Sequence, residues 1–323
     1  MVNANLKFGF FPVALLIAGA TWAQDYPGKT VRMVVPFAPG GATDVLARIV
    51  SQKLYERWGQ IVMADNRVGA SGNIGAEVAV KAAPDGYTLL MAGAPHAINM
   101  SLFKNLRYDL AKDLTPISAV ATFPSLIALH PSVPVKSVQE LIALARARPG
   151  ELNFGSAGNG SPNHLSMELF KTMAKVNMTH IPYKGGSGQM VSDLFAGQVQ
   201  LASMGLPPSM PYVKSGRLRA IAVTSLQRSP LLPGVPTVSE AGLSGFDVSS
   251  WYGVFAPVGL PRDLIAKLNG DVVAVLGNAD LKDRLAALGA EPMPMPSEDF
   301  GRFVREEIAK CAKVVKESGA KVD

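Results

Sequence analysis

The sequence is poor in the residues that mark metal, redox and nucleic-acid proteins. It contains one cysteine, Cys311, so no intrachain disulfide can form, and the helical pattern around it indicates a passive helix residue. His96, His130 and His180 are dispersed and lack metal-ligand spacing to Asp, Glu or Cys. Charged residues make up 17% of the chain, and its lysines and arginines form no basic block interleaved with aromatics. We therefore expect no metal, no cofactor and no nucleic-acid partner.

Several catalytic motifs are also missing. No Gly-x-Ser-x-Gly is present, which excludes a nucleophile elbow. Neither of the main glycine-rich loops fits Gly-x-x-x-x-Gly-Lys-Ser/Thr, and the Rossmann spacing is not met at residues 39–43. Paired carboxylates for acid/base work are not apparent. These absences argue against an enzyme.

The one long apolar run lies at the N-terminus. Lys7 is the only charge before Asp25, and residues 8–20 are apolar but too few to span a bilayer. Small residues follow, with Ala23 as the expected last residue before cleavage. This layout predicts a secretory signal peptide over 1–23, with a membrane anchor as the alternative. The mature chain would then be a soluble periplasmic protein that begins near Gln24.

Two glycine-rich loops stand out in the mature chain. They occupy residues 36–44 and 155–164, and each follows a short β-type run, at 31–35 and 152–154. Each also leads into a helical pattern. A strand, a glycine loop and a helix in this order point free backbone N–H groups at an anion. Two such units predict two domains that face one ligand.

Strand and helix patterns alternate along the chain, which predicts an α/β fold. Strand-like runs occur at 61–64, 87–93, 178–183, 199–204, 218–223 and 251–256, and helical patterns lie between several of them. Residues 227–250 are typical of a long connection, and three helical stretches begin near residues 262, 279 and 297. Residues 117–122 and 125–129 form two apolar runs. We divide the chain into domain 1 (24–122), domain 2 (123–228) and a crossover with return to domain 1 (229–323), so the chain crosses between domains twice.

With these loops in place, the sequence resembles the Bug-type extracytoplasmic solute receptors, the substrate-binding proteins of tripartite tricarboxylate transporters. The similarity runs in order over nearly all of the mature chain. The matching stretches are 36–44, 66–75, 83–90, 156–165, 183–186, 217–228, 233–242 and 251–257.

The resemblance implies a two-domain clamshell of the periplasmic-binding-protein type (type II-like), each domain a mixed sheet flanked by helices, joined by two crossover strands. It also implies that the two glycine loops close on a small carboxylate from opposite sides, holding it by backbone N–H groups and bridging waters. One departure concerns Gln200, which stands where the family often has Asp, followed by the small residues Ala202 and Ser203. The resemblance therefore does not predict how deep the pocket is on the domain 2 side.

The candidate ligand-binding residues lie in or beside the glycine-rich loops. We interpret Asp44 as a helix cap or a residue that orients donors rather than a direct contact. Asn163 is expected to cap the helix after the second loop. For Phe37 the alternative is a core residue, for His164 a surface or capping group, and for Trp251 we favour packing. The full set is Phe37, Gly40, Gly41, Asp44, Ala70, Ser71, Ser156, Ala157, Gly158, Ser161, His164, Tyr183 and Lys184.

The leading hypothesis is a monomeric periplasmic receptor that binds a small organic carboxylate in the interdomain cleft and delivers it to the membrane subunits of a tripartite tricarboxylate-type transporter. One alternative is an exported α/β hydrolase or lyase that uses His164 and a nearby serine. Another is a binding module that signals to a sensor. The ligand stays open among amino acids and citrate-like, aromatic and nicotinate-like acids.

Overall fold

The computed structural model describes residues 26–183 and 187–319, so the predicted signal peptide and Lys184 lie outside the described residues. Strands and helices alternate through this part of the chain. The strands are β1 (Val31–Val35), β2 (Val62–Asn66), β3 (Thr88–Gly93), β4 (Leu114–Leu129), β5 (Asn153–Ser156), β6 (Thr179–Pro182), β7 (Leu201–Gly205), β8 (Arg219–Val223), β9 (Ser249–Pro257) and β10 (Glu291–Pro292). The helices are α1 (Ala42–Trp58), α2 (Asn73–Val80), α3 (Ala94–Leu102), α4 (Val138–Ala147), α5 (Pro162–Ala174), α6 (Ser187–Phe195), α7 (Leu206–Lys214), α8 (Arg262–Leu276), α9 (Ala279–Ala287) and α10 (Ser297–Ser318). Over the two described ranges, no helix is both long enough and apolar enough to cross a membrane.

The strands form one mixed sheet in the order β2-β1-β3-β9-β4-β7-β5-β6, with β8 and β10 also paired to β4. At one end β1 pairs in parallel with β2 and β3, and at the other β5 pairs in parallel with β6 and β7. The central strands β9 and β4 are antiparallel to each other and to their neighbours β3 and β7. This mixed sheet flanked by helices agrees with the predicted α/β class.

Each end of the sheet has a hydrophobic core on both faces. We call strands β1–β3 with the helices packed on them the first half, and strands β5–β8 with theirs the second half. In the first half, Leu46 of α1 lies in the core on one face and Phe300 of α10 in the core on the other. In the second half, Phe170 of α5 and Leu194 of α6 lie in the two corresponding cores. Helices therefore cover both faces of the parallel strands, and the apolar area buried there stabilises each half.

Strands β4 and β9 form a ribbon that belongs to both halves. β4 pairs with β9 from Leu114 to Pro124 and with β7 from Ser125 to Leu129. In the sequence this strand covers two apolar runs, at 117–122 and 125–129. The residues between them continue the pairing, since Phe123 lies opposite Ser250 and Pro124 opposite Ser249.

The segment before β9 packs into the second half. Val238, Ala241, Leu243 and Phe246 belong to the same core as Phe170. In sequence it falls within the predicted crossover from residue 229, so the chain returns to the first half only where β9 begins. The division into domains stays a prediction.

The sequence did not indicate α3 and α7. Each begins with proline in its first turn, where the missing N–H costs no helical hydrogen bond. α7 also contains Pro211. Proline in the first turn is thus compatible with a helix in both places.

A small apolar cluster joins the two halves beside the ribbon. Ile98 of α3, Leu165 of α5 and Val314 of α10 are buried together. Nearby, the second glycine loop lies so close to α3 that a Cβ added to Gly160 would come within 2.7 Å of a Leu102 methyl. The second loop is thus packed against the first half.

A substitution of Gly253 in β9 tests the packing of the ribbon. A Cβ there would lie 2.7 Å from a carbon of the Phe300 ring and 2.9 Å from the Ser118 carbonyl oxygen. We expect Gly253→Ala to lower the free energy of unfolding by about 1–3 kcal/mol in urea denaturation, because the core is overpacked. The matched control is Gly270→Ala in the exposed face of α8, where an added Cβ meets nothing within 4 Å. It should be stabilising by up to about 1 kcal/mol. Equal effects of the two variants would contradict the packing.

Candidate functional site

A cavity of about 500 Å³ opens in front of the ribbon, between the two halves. Such a volume is ordinary for a small-molecule site. The first half contributes the start of α1, the ribbon forms the back wall, and the second half contributes the starts of α5 and α7. The lining residues are Gly40, Ala42, Val45, Phe123, Ser125, Pro162, Asn163, Gly205, Pro208, Ser250, Tyr252 and Leu288.

Helix α1 meets this cavity with its N-terminus. Gly41 is the N-cap residue, and no side chain caps the helix. The first intrahelical bond is donated by Val45 N–H to the Gly41 carbonyl, so the N–H groups of Ala42, Thr43 and Asp44 have no partner within the helix. Gly40, with φ of +83°, makes the turn that brings the chain into this position. The helix dipole and these donors favour an anion here.

The Asp44 side chain stabilises the first loop and does not line the cavity. Its buried carboxylate accepts hydrogen bonds from Arg48 Nε at 2.9 Å, Gly40 N–H at 2.9 Å and Asn66 Nδ2 at 2.9 Å. These bonds lower the pKa of Asp44 to about 2, and the bond from Arg48 has the largest effect. Asn66 Nδ2 also donates to the Phe37 carbonyl at 2.9 Å. This agrees with Asp44 as an orienting residue, and it removes the Gly40 N–H from the donors open to a ligand.

Helix α5 meets the cavity from the opposite side but offers fewer donors. Ser161 is its N-cap, and its Oγ accepts from the His164 N–H at 3.3 Å. Pro162 has no N–H, so among the first three positions only the Asn163 N–H is left. The prediction that Asn163 caps the helix was wrong. The N-cap is Ser161, two residues earlier, and the Asn163 Nδ2 instead donates to the Ser203 carbonyl at 2.7 Å.

Behind the second loop lies a stack of rings. His164 and His180 are parallel with centroids 3.8 Å apart, and Phe154 stacks on His180 at 4.9 Å. His180 Nε2 lies 2.6 Å from the Oγ of Ser156, which also accepts the Gly158 N–H at 3.2 Å. His164 Nδ1 accepts the Gly160 N–H at 3.0 Å. Ser156, His164 and Gly158 therefore hold the shape of the loop.

The charges beside this stack are paired with each other. Lys171 Nζ donates to both oxygens of Glu168 at 2.8 and 2.9 Å, and Glu168 Oε1 lies 3.6 Å from His164 Nε2. Burial opposes ionisation of Glu168, but His164 and Lys171 outweigh it and lower its pKa. Burial, followed by the neighbouring His164, lowers the pKa of His180 to about 4.

Phe37, Ala70 and Ser71 lie together beside the first loop. Ala70 and Ser71 have φ of +46° and +56°, an uncommon conformation for residues with a Cβ. Asn99 Nδ2 holds it by donating to the Ser71 carbonyl at 2.9 Å. Phe37 packs edge-on against His96 at 5.8 Å. None of the three is in the cavity wall, and their role as ligand contacts stays a prediction.

The remaining predicted residues are placed as follows. Gly40 lines the cavity, Gly41 caps α1, and Ala157 precedes Gly158 in the second loop. Tyr183 is buried in the second half and donates its hydroxyl to Asp193 Oδ2 at 2.8 Å. Lys184 lies outside the described residues.

Gln200, the departure from the family pattern, has a structural role. Its Oε1 accepts the Asn153 N–H at 2.9 Å and its Nε2 donates to the Gly197 carbonyl at 3.3 Å. The side chain is therefore committed to the backbone of its own half and is absent from the cavity wall given by the described residues.

Several cavity residues had no local sequence signal. Phe123, Ser125, Ser250 and Tyr252 come from the ribbon, where alternate residues face the cavity. Phe123 and Tyr252 contact each other edge-to-face at 5.6 Å. Burial raises the pKa of Tyr252, and the Thr43 side chain beside it acts in the opposite direction. Only the pairing of two distant strands identifies this wall.

Within the described ranges, no three His, Cys, Asp or Glu residues are grouped so that they would hold a metal ion. The described residues that line the cavity also carry no charged side chain. A ligand in it would meet backbone N–H groups, amide and hydroxyl groups, and apolar surface.

Sequence comparison finds a family and several relatives. The profile of the tripartite tricarboxylate transporter family receptor matches residues 46–320. Protein BugT from Bordetella pertussis is 40% identical over 326 residues, an alignment that covers 100% of this chain and 99% of BugT.

Solved structures give the same result. R. palustris Rpa4515 with adipate has a TM-score of 0.76 and 42% identity, covering 92% of this chain and 100% of that one. MatC from Rhodopseudomonas palustris with bound malate has a TM-score of 0.72 and 35% identity, covering 90% and 100%. These similarities confirm the resemblance to Bug-type receptors and the binding-protein fold. The relatives are solute-binding receptors, which confirms the expectation that the chain is not an enzyme and sets aside the hydrolase or lyase alternative.

Two histidines with lowered pKa values, His180 in the ring stack and His96 beside Phe37, predict a pH dependence of stability. The pKa of His180 lies near 4 in the folded protein, and burial lowers that of His96 to about 4 as well, against 6.5 for the ordinary group. Between pH 6.5 and 4 the unfolded chain therefore binds protons that the folded protein does not. The free energy of unfolding should be highest above pH 6.5 and should fall as the pH drops, by at most about 1.4 kcal/mol per pH unit for each histidine.

Urea denaturation at pH 7.0, 6.0 and 5.0 measures this slope. His180→Gln should give a shallower slope, since one of the two groups is gone. The lowered pKa of Glu168 acts below its ordinary value of 4.5, outside this range. An unchanged slope in the variant would show that His180 is not the group responsible.

Proposed function

The chain belongs to the tripartite tricarboxylate transporter receptor family, and on this premise we propose that it binds a small organic carboxylate in the cavity between its halves and delivers it to a membrane transporter. Family members are periplasmic receptors, and a periplasmic location fits the signal peptide predicted over residues 1–23. No bond is made or broken in this role. The adipate and malate held by two solved relatives support a carboxylate as the ligand class.

The uncapped N-terminus of α1 is the observation that carries the proposal. Three N–H groups, those of Ala42, Thr43 and Asp44, lack helical partners next to a cavity of about 500 Å³. A carboxylate there would replace water on these donors and interact favourably with the helix dipole. No described lining side chain is charged, so recognition of the anion would rest on the backbone.

The two sides of the cavity contribute unequally. α1 offers three N–H groups, whereas Ser161 and Pro162 leave α5 with the Asn163 N–H alone. We place the carboxylate mainly on α1, with Asn163 and the second loop closing over it. Asp44 supports the site indirectly, since its bond to the Gly40 N–H fixes the loop.

Closure is the step that would couple binding to transport. The proposed domains, 24–122 with the returning chain and 123–228, would rotate about the ribbon of β4 and β9. Only the closed state would present both helix starts to one ligand, so the ligand would favour that state. A monomer in the closed form would then offer its surface to the membrane subunits.

Thermal unfolding with a panel of carboxylates tests the ligand class. At a concentration one hundred times its Kd, a true ligand stabilises the folded protein by about 2.7 kcal/mol. For a chain of this size the midpoint should rise by about 5 °C. The matched amides, which lack the charge, serve as controls. A flat response to mono-, di- and tricarboxylates alike would contradict the proposed function.

Gly41→Asp tests the proposed anion position. Gly41 has φ of −75°, and an added Cβ would lie 3.5 Å from the Ala38 carbonyl, so a side chain fits without strain. An aspartate at the N-cap would occupy the free N–H groups and repel a second anion. We expect carboxylate affinity by calorimetry to fall at least tenfold with no loss of thermal stability.

Gly41→Asn is the control, because it has nearly the same shape and capping ability without the charge. Its affinity should lie between those of Gly41→Asp and the parent. If both variants bind carboxylate as the parent does, the anion does not sit at α1.

A further inference from the structure

A second cavity of about 400 Å³ lies in the second half, next to the first. The two cavities share three wall residues, Asn163, Gly205 and Pro208. We call the first the front chamber and the second the rear chamber. The rear chamber is lined by Asn163, Gly188, Met190, Val191, Ser192, Phe195, Met204, Gly205, Pro208, Ser209 and Tyr212.

The rear chamber presents mainly apolar and aromatic side chains. Met190 and Met204 are buried in its wall, and Phe195 and Tyr212 contact each other with centroids 4.6 Å apart. Arg217 stacks on the Phe195 ring at 4.1 Å and is not part of the wall. Of the described residues that line the chamber, none has a charged side chain.

The polar groups of the rear chamber are mostly committed to the protein. The Ser209 hydroxyl donates to the Gly205 carbonyl at 2.7 Å, and that of Ser192 donates to the Gly188 carbonyl at 3.2 Å. Asn163 Nδ2 donates one hydrogen bond to the Ser203 carbonyl. A strongly hydrated group would lose water here without gaining equivalent bonds.

Helix α7 does not offer the rear chamber an anion site comparable to α1. In α7, proline at 207 and 208 removes two of the first three N–H groups. α6 lines the chamber from Gly188, in its first turn, to Phe195, and Met190, Val191 and Phe195 give this side of the wall an apolar surface. The rear chamber therefore differs in chemistry from the front chamber, where α1 offers free donors.

Gly205 lies in the wall common to the two chambers. Its Cβ position is 3.5 Å from Pro208 and meets no other atom within 4 Å except those of that ring, and its φ of −54° suits any residue. A side chain at this point would therefore narrow the space where the two chambers adjoin.

We propose that the ligand is a carboxylate with an apolar chain or ring, which lies in the rear chamber while the carboxylate rests on α1, and that Gly205 admits this tail. The inference rests on the proposed function and narrows its ligand class. It differs from simple carboxylate recognition, because affinity would come largely from the tail.

Calorimetry with a homologous series tests the tail. Each methylene buried contributes about 0.8 kcal/mol, or roughly fourfold in affinity. From butyrate to octanoate the Kd should therefore fall by about two orders of magnitude. Hexanoate should bind at least tenfold tighter than gluconate, which has the same number of carbons but a hydroxylated chain.

Two variants locate the tail. Gly205→Val narrows the space where the chambers adjoin, and Ser192→Phe, at an exposed position of α6, fills the rear chamber without changing β7 or the start of α7. In each, octanoate should bind within about threefold of butyrate. In Ser192→Phe, whose side chain lies outside the front chamber, the butyrate Kd should stay within about threefold of the parent. Gly234→Val, at an exposed glycine outside both cavities with nothing within 4 Å of its Cβ, should behave as the parent.

The outcomes separate the two proposals. If no carboxylate of any kind binds, the proposed function fails. If carboxylates bind but gluconate equals hexanoate, if chain length has no effect, or if both variants keep the parent's length dependence, the tail inference is overturned and carboxylate binding stands.

Discussion

The antiparallel pairing of β4 with β9 is the constraint on which the rest of the structure depends. β4 continues from the first half into the second, and Phe123 and Pro124 pair with Ser250 and Ser249 at the junction. Because side chains alternate along strands, Ser250 and Tyr252 face the binding cavity, whereas Ser249 and Trp251 face a separate cavity behind the ribbon. One set of hydrogen bonds therefore joins the halves and builds the back wall of the site.

The binding side of the molecule combines a rigid loop with free donors. The Asp44 carboxylate accepts hydrogen bonds from Gly40, Arg48 and Asn66, and these bonds fix the glycine turn. The N–H groups in the first turn of α1 have no side-chain cap. The second loop has the opposite arrangement, since Ser161 and Pro162 satisfy or remove most of its donors and Ser156 and His164 brace it from behind. Two loops that look alike in sequence thus differ in how many N–H groups they offer an anion.

In our proposal, the front chamber recognises the charge of the ligand and the rear chamber its apolar part. The front chamber holds uncompensated backbone donors but no charged side chain among its described residues, and the rear chamber has methionine and aromatic walls. Such a site can recognise the group common to all carboxylates at one end and distinguish their tails at the other. Family membership fixes the receptor role, and in our proposal the walls of the rear chamber set which carboxylates this chain prefers.

The sequence alone determined the alternation of strands and helices, the two glycine loops and the family, because hydrophobic periodicity and turn glycines are local signals. It also indicated that Asp44 orients donors. It missed α3 and α7, and it gave β4 only as two apolar runs. Only the tertiary structure brought Tyr252, Phe123 and Gly205 to the cavity and committed Tyr183 and Gln200 to the interior. Those positions follow from the pairing of strands more than a hundred residues apart, which no local pattern encodes.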